Sequence, residues 1–322
     1  MTRLLASTAF AALVLLPGLA AADPVSLADF QLADRIAAKI AAGEELNFYV
    51  SYQDVSNEFA PQIRVGVERG DAMDGVTATF IGPVGSDADA QINEIEALMD
   101  TMDGLAISSV STDALAPLID RVLAAGIPVI AYNTDNPDSA RLVFAGQDLV
   151  QSGVAAGTLM GETMGGTGKV MILTLDAAAQ WSLDREQGAR EGLAAFPGIE
   201  IVQTVNTGSD PQEMYASIEN AMLANPEVTG LLSLECCTTP AAGSWVERND
   251  KTGVVRIVGF DLLDQTVEMV AGGVIQATID QAPEIQGFAA VDLLARFLKG
   301  EPIDNLDTGV GIYTIDNIAE LQ

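Results

Sequence analysis

The sequence predicts an α/β fold made of two lobes, each with a parallel sheet. Short apolar, β-branched runs alternate with longer segments of helical period, which is typical of parallel strands covered by helices on both faces. This alternation restarts after Gly146, which indicates a second lobe. The 322 residues are also more than one hydrophobic core usually holds.

The first residues have the pattern of a secretory signal peptide. Arg3 precedes an apolar run from 4 to 16, and small residues occupy 20–22. A run of this length is shorter than the roughly 20 apolar residues that a membrane-spanning helix needs. We therefore predict a signal peptide over 1–22, a mature chain that begins near Asp23, and a periplasmic protein without a lipid anchor, because no cysteine lies near the cleavage site.

An additional helix is predicted before the first strand, within 23–44. Leu32, Ile36 and Ile40 recur every four residues and form a narrow apolar stripe over 27–43. Such a stripe predicts a helix that packs on the surface of a lobe and takes no part in the chemistry.

Strands are predicted wherever a short apolar run ends in a polar or turn residue. In the first lobe they cover 48–51, 77–81, 105–107 and 127–130. In the second lobe they cover 169–175, 201–205, 230–234, 256–260 and the segment before Gln281. Ligands of parallel sheets bind beyond the carboxyl ends of the strands, so the residues that follow each strand are the candidates for a site.

Composition excludes several classes of function. The net charge is −30, and it becomes −31 when Arg3 is lost with the signal peptide, which disfavours binding to nucleic acid and anionic lipid. Histidine is absent, so Ser-His-Asp catalysis, His-ligated zinc and His-based pH switches are excluded. We expect no cofactor and no metal. Because the sequence shows no basic cluster, the ligand is expected to be uncharged.

Polar side chains follow the predicted strands in a specific order. Asp261 ends the run Val-Gly-Phe-Asp, and Gln281 ends the run Ala-Thr-Ile-Asp-Gln. Arg185 stands three residues before Gly188, and Asn57 stands nine residues before Gly66. Charged groups form the stronger hydrogen bonds with hydroxyls, while Asn and Gln offer a donor and an acceptor each.

From about 46 onward, these motifs resemble the sugar-binding branch of the type I periplasmic binding proteins, the family of the ribose-binding protein. The resemblance implies two Rossmann-like lobes joined by a three-crossing hinge. The first lobe would take 45–147 and 282–308, and the second would take 148–281 and 309–322. The resemblance also places ligand-binding residues at Asn57, Phe59, Ser108, Asn133, Arg185, Glu235, Cys236, Asp261 and Gln281.

Several positions depart from the family pattern. Asn133 replaces the usual Asp, Glu235 and Cys236 replace an Asn-Asp pair, and Ala60 replaces an aromatic residue. These departures leave the sugar, its anomer and its ring size open. Tyr52 and Trp181 are further candidates to lie against an apolar sugar face, with ordinary packing as the alternative. Capping or surface pairing is the alternative role for Asn57, Asp261 and Arg185.

Cys236 and Cys237 are the only cysteines of the chain. In an oxidising compartment they can pair within one chain only with each other. Adjacent residues are closer than the usual disulfide range, so the ring would be strained. We hypothesise a vicinal disulfide that forms a rigid wall against the ligand, and the alternative is two reduced thiols.

The sequence as a whole predicts a monomeric solute-binding protein of an ABC importer that is not an enzyme. It would close on a small neutral sugar or polyol, dock on a membrane permease, and insert into no membrane. A receptor for a furanosyl signalling molecule could use the same scaffold. A glycosidase is the alternative from another class, because Glu235 and Asp261 could form a pair of carboxylates.

Overall fold

A computed structural model describes residues 24–321 of the chain. The predicted signal peptide at 1–22 lies outside the described residues, so export stays a prediction. Among residues 24–321, no helix has both the length and the apolar character that crossing a bilayer requires.

The structure is built from twelve strands in its described part. In chain order they are β1 Leu46–Ser51, β2 Val76–Ile81, β3 Gly104–Ile107, β4 Val129–Tyr132, β5 Phe144–Gly146, β6 Thr167–Thr174, β7 Gly198–Asn206, β8 Gly230–Ser233, β9 Arg256–Phe260, β10 Ala277–Asp280, β11 Leu306–Asp307 and β12 Gly311–Thr314.

The helices alternate with these strands. They are α1 Asp34–Ala42, α2 Ala60–Asp71, α3 Ala88–Leu98, α4 Thr112–Ala124, α5 Leu149–Thr163, α6 Gln180–Leu193, α7 Pro211–Ala224, α8 Thr238–Arg248, α9 Asp264–Ala271 and α10 Pro283–Leu298.

The strands form two six-stranded sheets, which confirms the predicted pair of α/β lobes. The first sheet has the order β11-β5-β4-β3-β1-β2 and is parallel throughout. The second has the order β12-β10-β9-β8-β6-β7 and is parallel except for the pairing of β10 with β12. The chain therefore crosses between the sheets three times, after β5, after β10 and after β11.

Glycines allow one helix pair in each lobe to pack closely. A Cβ atom on Gly188 of α6 would lie 1.9 Å from the carbonyl oxygen of Val150 in α5. A Cβ atom on Gly287 of α10 would lie 2.1 Å from the carbonyl oxygen of Ile63 in α2. Both distances are shorter than any real contact, so these glycines of the sequence motifs are required for packing.

The predicted helix over 27–43 is instead two shorter helices, which corrects that prediction. A 3-10 helix spans Leu27–Asp29, and α1 follows and ends at Gly43, whose φ of 67° is readily adopted only by glycine. Ile36 is buried in the core of the first lobe. Arg35 and Lys39 each form an ion pair of 2.7 Å with the buried carboxylate of Asp103, so polar anchors add to the apolar stripe.

The strand predicted at 127–130 is displaced by two residues, and three short strands were not predicted. Pro128 has no N–H to donate, and β4 begins only at Val129. The missed strands β5, β11 and β12 contain two to four residues each, too few for a periodic pattern.

Candidate functional site

The carboxyl ends of strands from both sheets surround a largely buried cavity between the lobes. Ten of the twelve residues proposed from the sequence line it: Tyr52, Asn57, Phe59, Asn133, Trp181, Arg185, Glu235, Cys236, Asp261 and Gln281. The cavity leaves about 40 Å³ for the centres of water-sized molecules. It is therefore a small space with walls from both lobes.

Asp261 supplies a buried carboxylate at the end of β9. It adopts a positive φ of 70°, and its Oδ1 accepts a hydrogen bond of 2.8 Å from Nε2 of Gln281. Burial raises the pKa of this carboxyl group to about 7, although the nearby guanidinium of Arg185 opposes the shift. The side chain forms no cap on α9, so the capping alternative is wrong for Asp261.

Arg185 supplies the only cationic side chain among the residues that line the cavity. Its two terminal nitrogens donate to the carbonyl of Leu234 (3.0 Å) and to Oε1 of Gln147 (3.4 Å), and its guanidinium lies 4.2 Å from the centre of the Phe260 ring. Its buried Nε finds no acceptor within the described part of the chain. Burial lowers its pKa, against the attraction of Asp261. The surface salt bridge considered for Arg185 is therefore wrong.

Gln281 and Asn133 connect the two lobes along one side of the cavity. Nδ2 of Asn133 donates to Oε1 of Gln286 at 2.9 Å and lies 3.5 Å from Oε1 of Gln281. Ser108 is not among the residues that line the cavity, and its role as a ligand-binding residue stays a prediction. It lies behind Asn133, where its hydroxyl donates to Oδ1 of Asn133 (3.2 Å) and accepts the N–H of Thr134 (3.3 Å).

Glu235 lies at the cavity wall, but its carboxylate already accepts hydrogen bonds from the backbone of the protein. Its two carboxylate oxygens accept the N–H groups of Cys237 (2.6 Å) and Thr238 (2.7 Å). These groups are at the N-terminal end of α8, where a carboxylate is stabilised by the helix dipole. Glu235 is therefore a helix cap that also borders the cavity.

The two cysteines face different spaces. Cys236 lines the cavity, whereas Cys237 lines a larger neighbouring groove of about 570 Å³ on the same measure, and the contact of both with the ligand stays a prediction. Cys237 immediately precedes α8 with helical torsions, and successive residues of a helix point about 100° apart. Both cysteines are free, with 2.9 Å between their Sγ atoms, and the disulfide stays a prediction.

Glu235 and the two cysteines form the one cluster within residues 24–321 that has the spacing of a metal site. The ligand atoms of Glu235, Cys236 and Cys237 lie within 4.8 Å of one another. Both oxygens of Glu235 already accept N–H groups, and the contact with Cys237, together with burial, raises the pKa of the Cys236 thiol. Metals bind the thiolate form, so these surroundings favour protonated thiols over a metal site.

Aromatic rings form the apolar part of the first lobe's wall. Tyr52 stacks on Phe80 with 5.9 Å between ring centres and is tilted against Phe59 at 6.4 Å. Asn57 caps the start of α2 by accepting the N–H groups of Phe59 and Ala60, and its Nδ2 donates to the hydroxyl of Tyr52 at 3.4 Å. Asn57 thus both caps a helix and borders the cavity.

Five residues that line the cavity were not predicted: Gln53, Ser86, Thr134, Leu149 and Leu175. Three of them stand at or next to the end of a strand, which is the signal that could have found them. Gln53 follows β1 by two residues, Thr134 follows β4 by two, and Leu175 follows β6 directly. Oγ1 of Thr134 donates to Oε1 of Gln53 at 3.3 Å.

The lobes are closed on the cavity. Oγ1 of Thr112 in the first lobe donates to Oε1 of Gln180 in the second at 3.2 Å, and the N–H of Gln180 donates to the carbonyl of Val110 at 3.4 Å. The cavity holds two carboxylates and one guanidinium, with amides and aromatic rings around them. A neutral molecule rich in hydroxyl groups matches this lining, because it brings no further charge into a buried space.

Residues 48–302 match the model of the periplasmic binding protein domain. The chain belongs to this family. The xylose/arabinose-binding protein XylF of Sulfolobus acidocaldarius is 27% identical over 282 residues, which cover 82% of this chain and 69% of that protein. The xylitol-binding protein of Mycolicibacterium smegmatis is 23% identical over 222 residues, which cover 68% of this chain and 63% of that protein.

Solved structures agree with this membership. An ABC transporter solute-binding protein from Burkholderia graminis, in complex with D-arabinose, matches this periplasmic binding protein with a TM-score of 0.81 and 27% identity, covering 86% of this chain and 97% of that one. A solute-binding protein from Agrobacterium vitis, bound to α-D-tagatopyranose, has a TM-score of 0.78 and 22% identity, covering 86% and 97%, and supports the fold alone.

Proposed function

We propose that this chain is the solute-binding protein of an ABC importer and that it encloses a neutral sugar or polyol between its lobes. The observation that carries the proposal is the largely buried cavity between the lobes, whose lining combines Asp261 and Arg185 with amides and aromatic rings. The names of the relatives support it, since they bind xylose or arabinose and xylitol, and a structural relative holds D-arabinose.

The polar residues of the cavity have complementary roles in this proposal. Asp261 accepts hydrogen bonds from ligand hydroxyls, and the guanidinium of Arg185 donates to them. Asn57, Asn133 and Gln281 provide amides that can donate or accept. Tyr52, Phe59 and Trp181 lie against the apolar faces of the ligand, and the burial of C–H groups there adds an apolar contribution.

The same site gives little support to a hydrolase. A glycosidase needs one carboxyl group that transfers a proton and a second that attacks or activates water. Both oxygens of Glu235 are held by backbone N–H groups, so this carboxylate is poorly placed for either role. We infer binding without catalysis, and incubation with glycosides should release no sugar.

Membership of the family supports a proposal for the location and the partners. The protein would act outside the cytoplasm, after export by the signal peptide proposed at 1–22, and would deliver its ligand to a membrane permease as a monomer. The lobe boundaries proposed from the sequence, at 147/148, 281/282 and 308/309, are supported by the membership of the strands in the two sheets.

A thermal-shift screen of the mature protein tests this function. The panel contains pentoses, hexoses, polyols, amino sugars, furanosyl compounds and small carboxylates as anionic controls. A ligand present at 100 times its dissociation constant adds about 2.7 kcal/mol to the free energy of unfolding. We expect stabilisation by at least one neutral sugar or polyol, and stabilisation by anions alone would contradict the proposal.

A further inference from the structure

Two buried glutamines stand between the hinge and the ligand site. Gln147 lies in the first crossing, directly after β5, and Gln286 lies in the first turns of α10, after the second crossing. Both side chains are buried, and neither lines the cavity. Their amide groups are therefore not available to contact the ligand, yet each is bonded to a residue that does line the cavity.

Gln147 ties the three crossings together. Its Nε2 donates to the carbonyl of Asp280, just before the second crossing, at 3.2 Å, and to the carbonyl of Gly309, in the third crossing, at 2.8 Å. Its Oε1 accepts a hydrogen bond of 3.4 Å from Arg185. Carbonyls only accept and guanidinium groups only donate, so the chemistry of the partners fixes the orientation of this amide.

Gln286 repeats this arrangement on the other side of the hinge. Its Nε2 donates to the carbonyl of Gln281, in the second crossing, at 2.7 Å, and to Oγ1 of Thr308, in the third crossing, at 3.3 Å. Its Oε1 accepts the 2.9 Å hydrogen bond from Asn133. In both glutamines the NH2 group donates hydrogen bonds to backbone or side-chain atoms of the hinge. The amide oxygen accepts a hydrogen bond from a residue that lines the cavity.

We propose that Gln147 and Gln286 are positioning residues that couple lobe closure to the orientation of Arg185 and Asn133. This inference rests on the proposed function. Closure changes the backbone torsions of the crossings, so we expect it to change which partners on the crossings lie within reach of each amide. Each glutamine then stabilises the closed form and sets a ligand-binding side chain in the same step.

The chain offers a matched control in Gln276. Its Nε2 also donates to two carbonyls, those of Gly273 (3.2 Å) and Val274 (3.3 Å), and its Oε1 accepts the N–H of Ile257 at 2.6 Å. All of these partners belong to the second lobe, away from the hinge. Replacing each glutamine with glutamate keeps the acceptor and removes both donors. Gln276 is half-buried, whereas the two hinge glutamines are buried, so Gln276→Glu controls for the loss of the donors.

The experiment measures affinity by calorimetry and lobe separation by small-angle X-ray scattering, with the sugar or polyol that stabilises the wild-type protein most in the thermal screen. We expect Gln147→Glu and Gln286→Glu to bind about 10-fold more weakly and to show a larger radius of gyration without ligand, because each loses two hydrogen bonds of the closed form. Gln276→Glu should keep the wild-type affinity and radius.

Equal affinity in all three folded variants would overturn the coupling. It would show that the hydrogen bonds of the glutamines contribute equally to the open and the closed forms. If a glutamate variant does not fold, Gln147→Asn and Gln286→Asn keep the amide but shorten its reach, and the same comparison applies. Failure of the proposed function would give a different result, because the wild-type protein would then bind no sugar or polyol. The radii of the ligand-free variants test the coupling in that case.

Discussion

Replacing Asp261 with asparagine should stabilise the ligand-free protein while it weakens binding. The carboxylate of Asp261 is buried, and its pKa is raised from its ordinary 3.8 to about 7. Asparagine has nearly the same shape, keeps an oxygen for the hydrogen bond from Gln281, and carries no charge. The variant therefore removes the cost of burying the ionised group and leaves the packing unchanged.

The size of the effect follows from the pKa. Between pH 4 and 7 the folded wild-type protein holds a proton that the unfolded chain has released, so its stability falls as the pH rises. A pKa raised from 3.8 to about 7 corresponds to a loss on the order of 4 kcal/mol once the pH exceeds 7. The stability advantage of Asp261→Asn should grow from pH 4 to pH 7 and then level off.

Calorimetric melting at pH 5 and pH 8 measures this change, and titration calorimetry measures affinity. Loss of a hydrogen bond to a charged acceptor costs about 1.5–3 kcal/mol, or roughly 10- to 150-fold in affinity. Asp103→Asn is the control, because that buried carboxylate is paired with Arg35 and Lys39, and its loss should lower stability without changing affinity. An advantage of Asp261→Asn that does not change with pH, or an unchanged affinity, would refute the reasoning.

Three further predictions concern the cysteines, the guanidinium and the helix packing. Mass spectrometry of the exported protein should show Cys236 and Cys237 joined by a disulfide, with a mass two hydrogens lower than that of the dithiol form. Replacing both cysteines with serine should weaken binding. Alkylation of the thiols without reductant would contradict the disulfide hypothesis. Arg185→Met should reduce affinity at least 10-fold, since charged hydrogen bonds contribute about 1.5–3 kcal/mol, whereas Arg190→Met, at an exposed ion pair, should leave titrations unchanged. Gly188→Ala should lower the melting temperature, because its Cβ would overlap a carbonyl of α5, and a melting temperature equal to that of the wild type would show that the helices can separate at no cost.

Much of the fold and site could be predicted because strand ends are informative in this architecture. Runs such as 257–260 are apolar and are followed directly by one polar residue, and this residue then lies at the edge of the sheet where ligands bind. Six of the ten proposed residues that line the cavity follow a strand within three positions: Tyr52, Asn133, Glu235, Cys236, Asp261 and Gln281. The short strands β5, β11 and β12 carry too few residues for a pattern, so the pairing along the hinge was not predicted.

The direction of single side chains could not be predicted from the sequence. Ser108 and Cys237 are correctly placed along the chain, but one turns back toward Asn133 and the other toward the outer groove. The positioning role of Gln147 and Gln286 could not be predicted from the sequence, because it depends on carbonyls that separate crossings bring together. Such contacts arise from the tertiary arrangement and leave no local trace in the sequence.

Titration calorimetry of the mature protein tests the central claim most directly. The ligands are the neutral sugars and polyols that raise its melting temperature, with small carboxylates as anionic controls, and each is titrated into the wild-type protein and into Asp261→Asn. We predict one saturable site per chain for a neutral sugar or polyol, with affinity that falls at least 10-fold in the variant. Binding of anionic solutes alone, or equal affinity in both proteins, would contradict a neutral-sugar site built around Asp261.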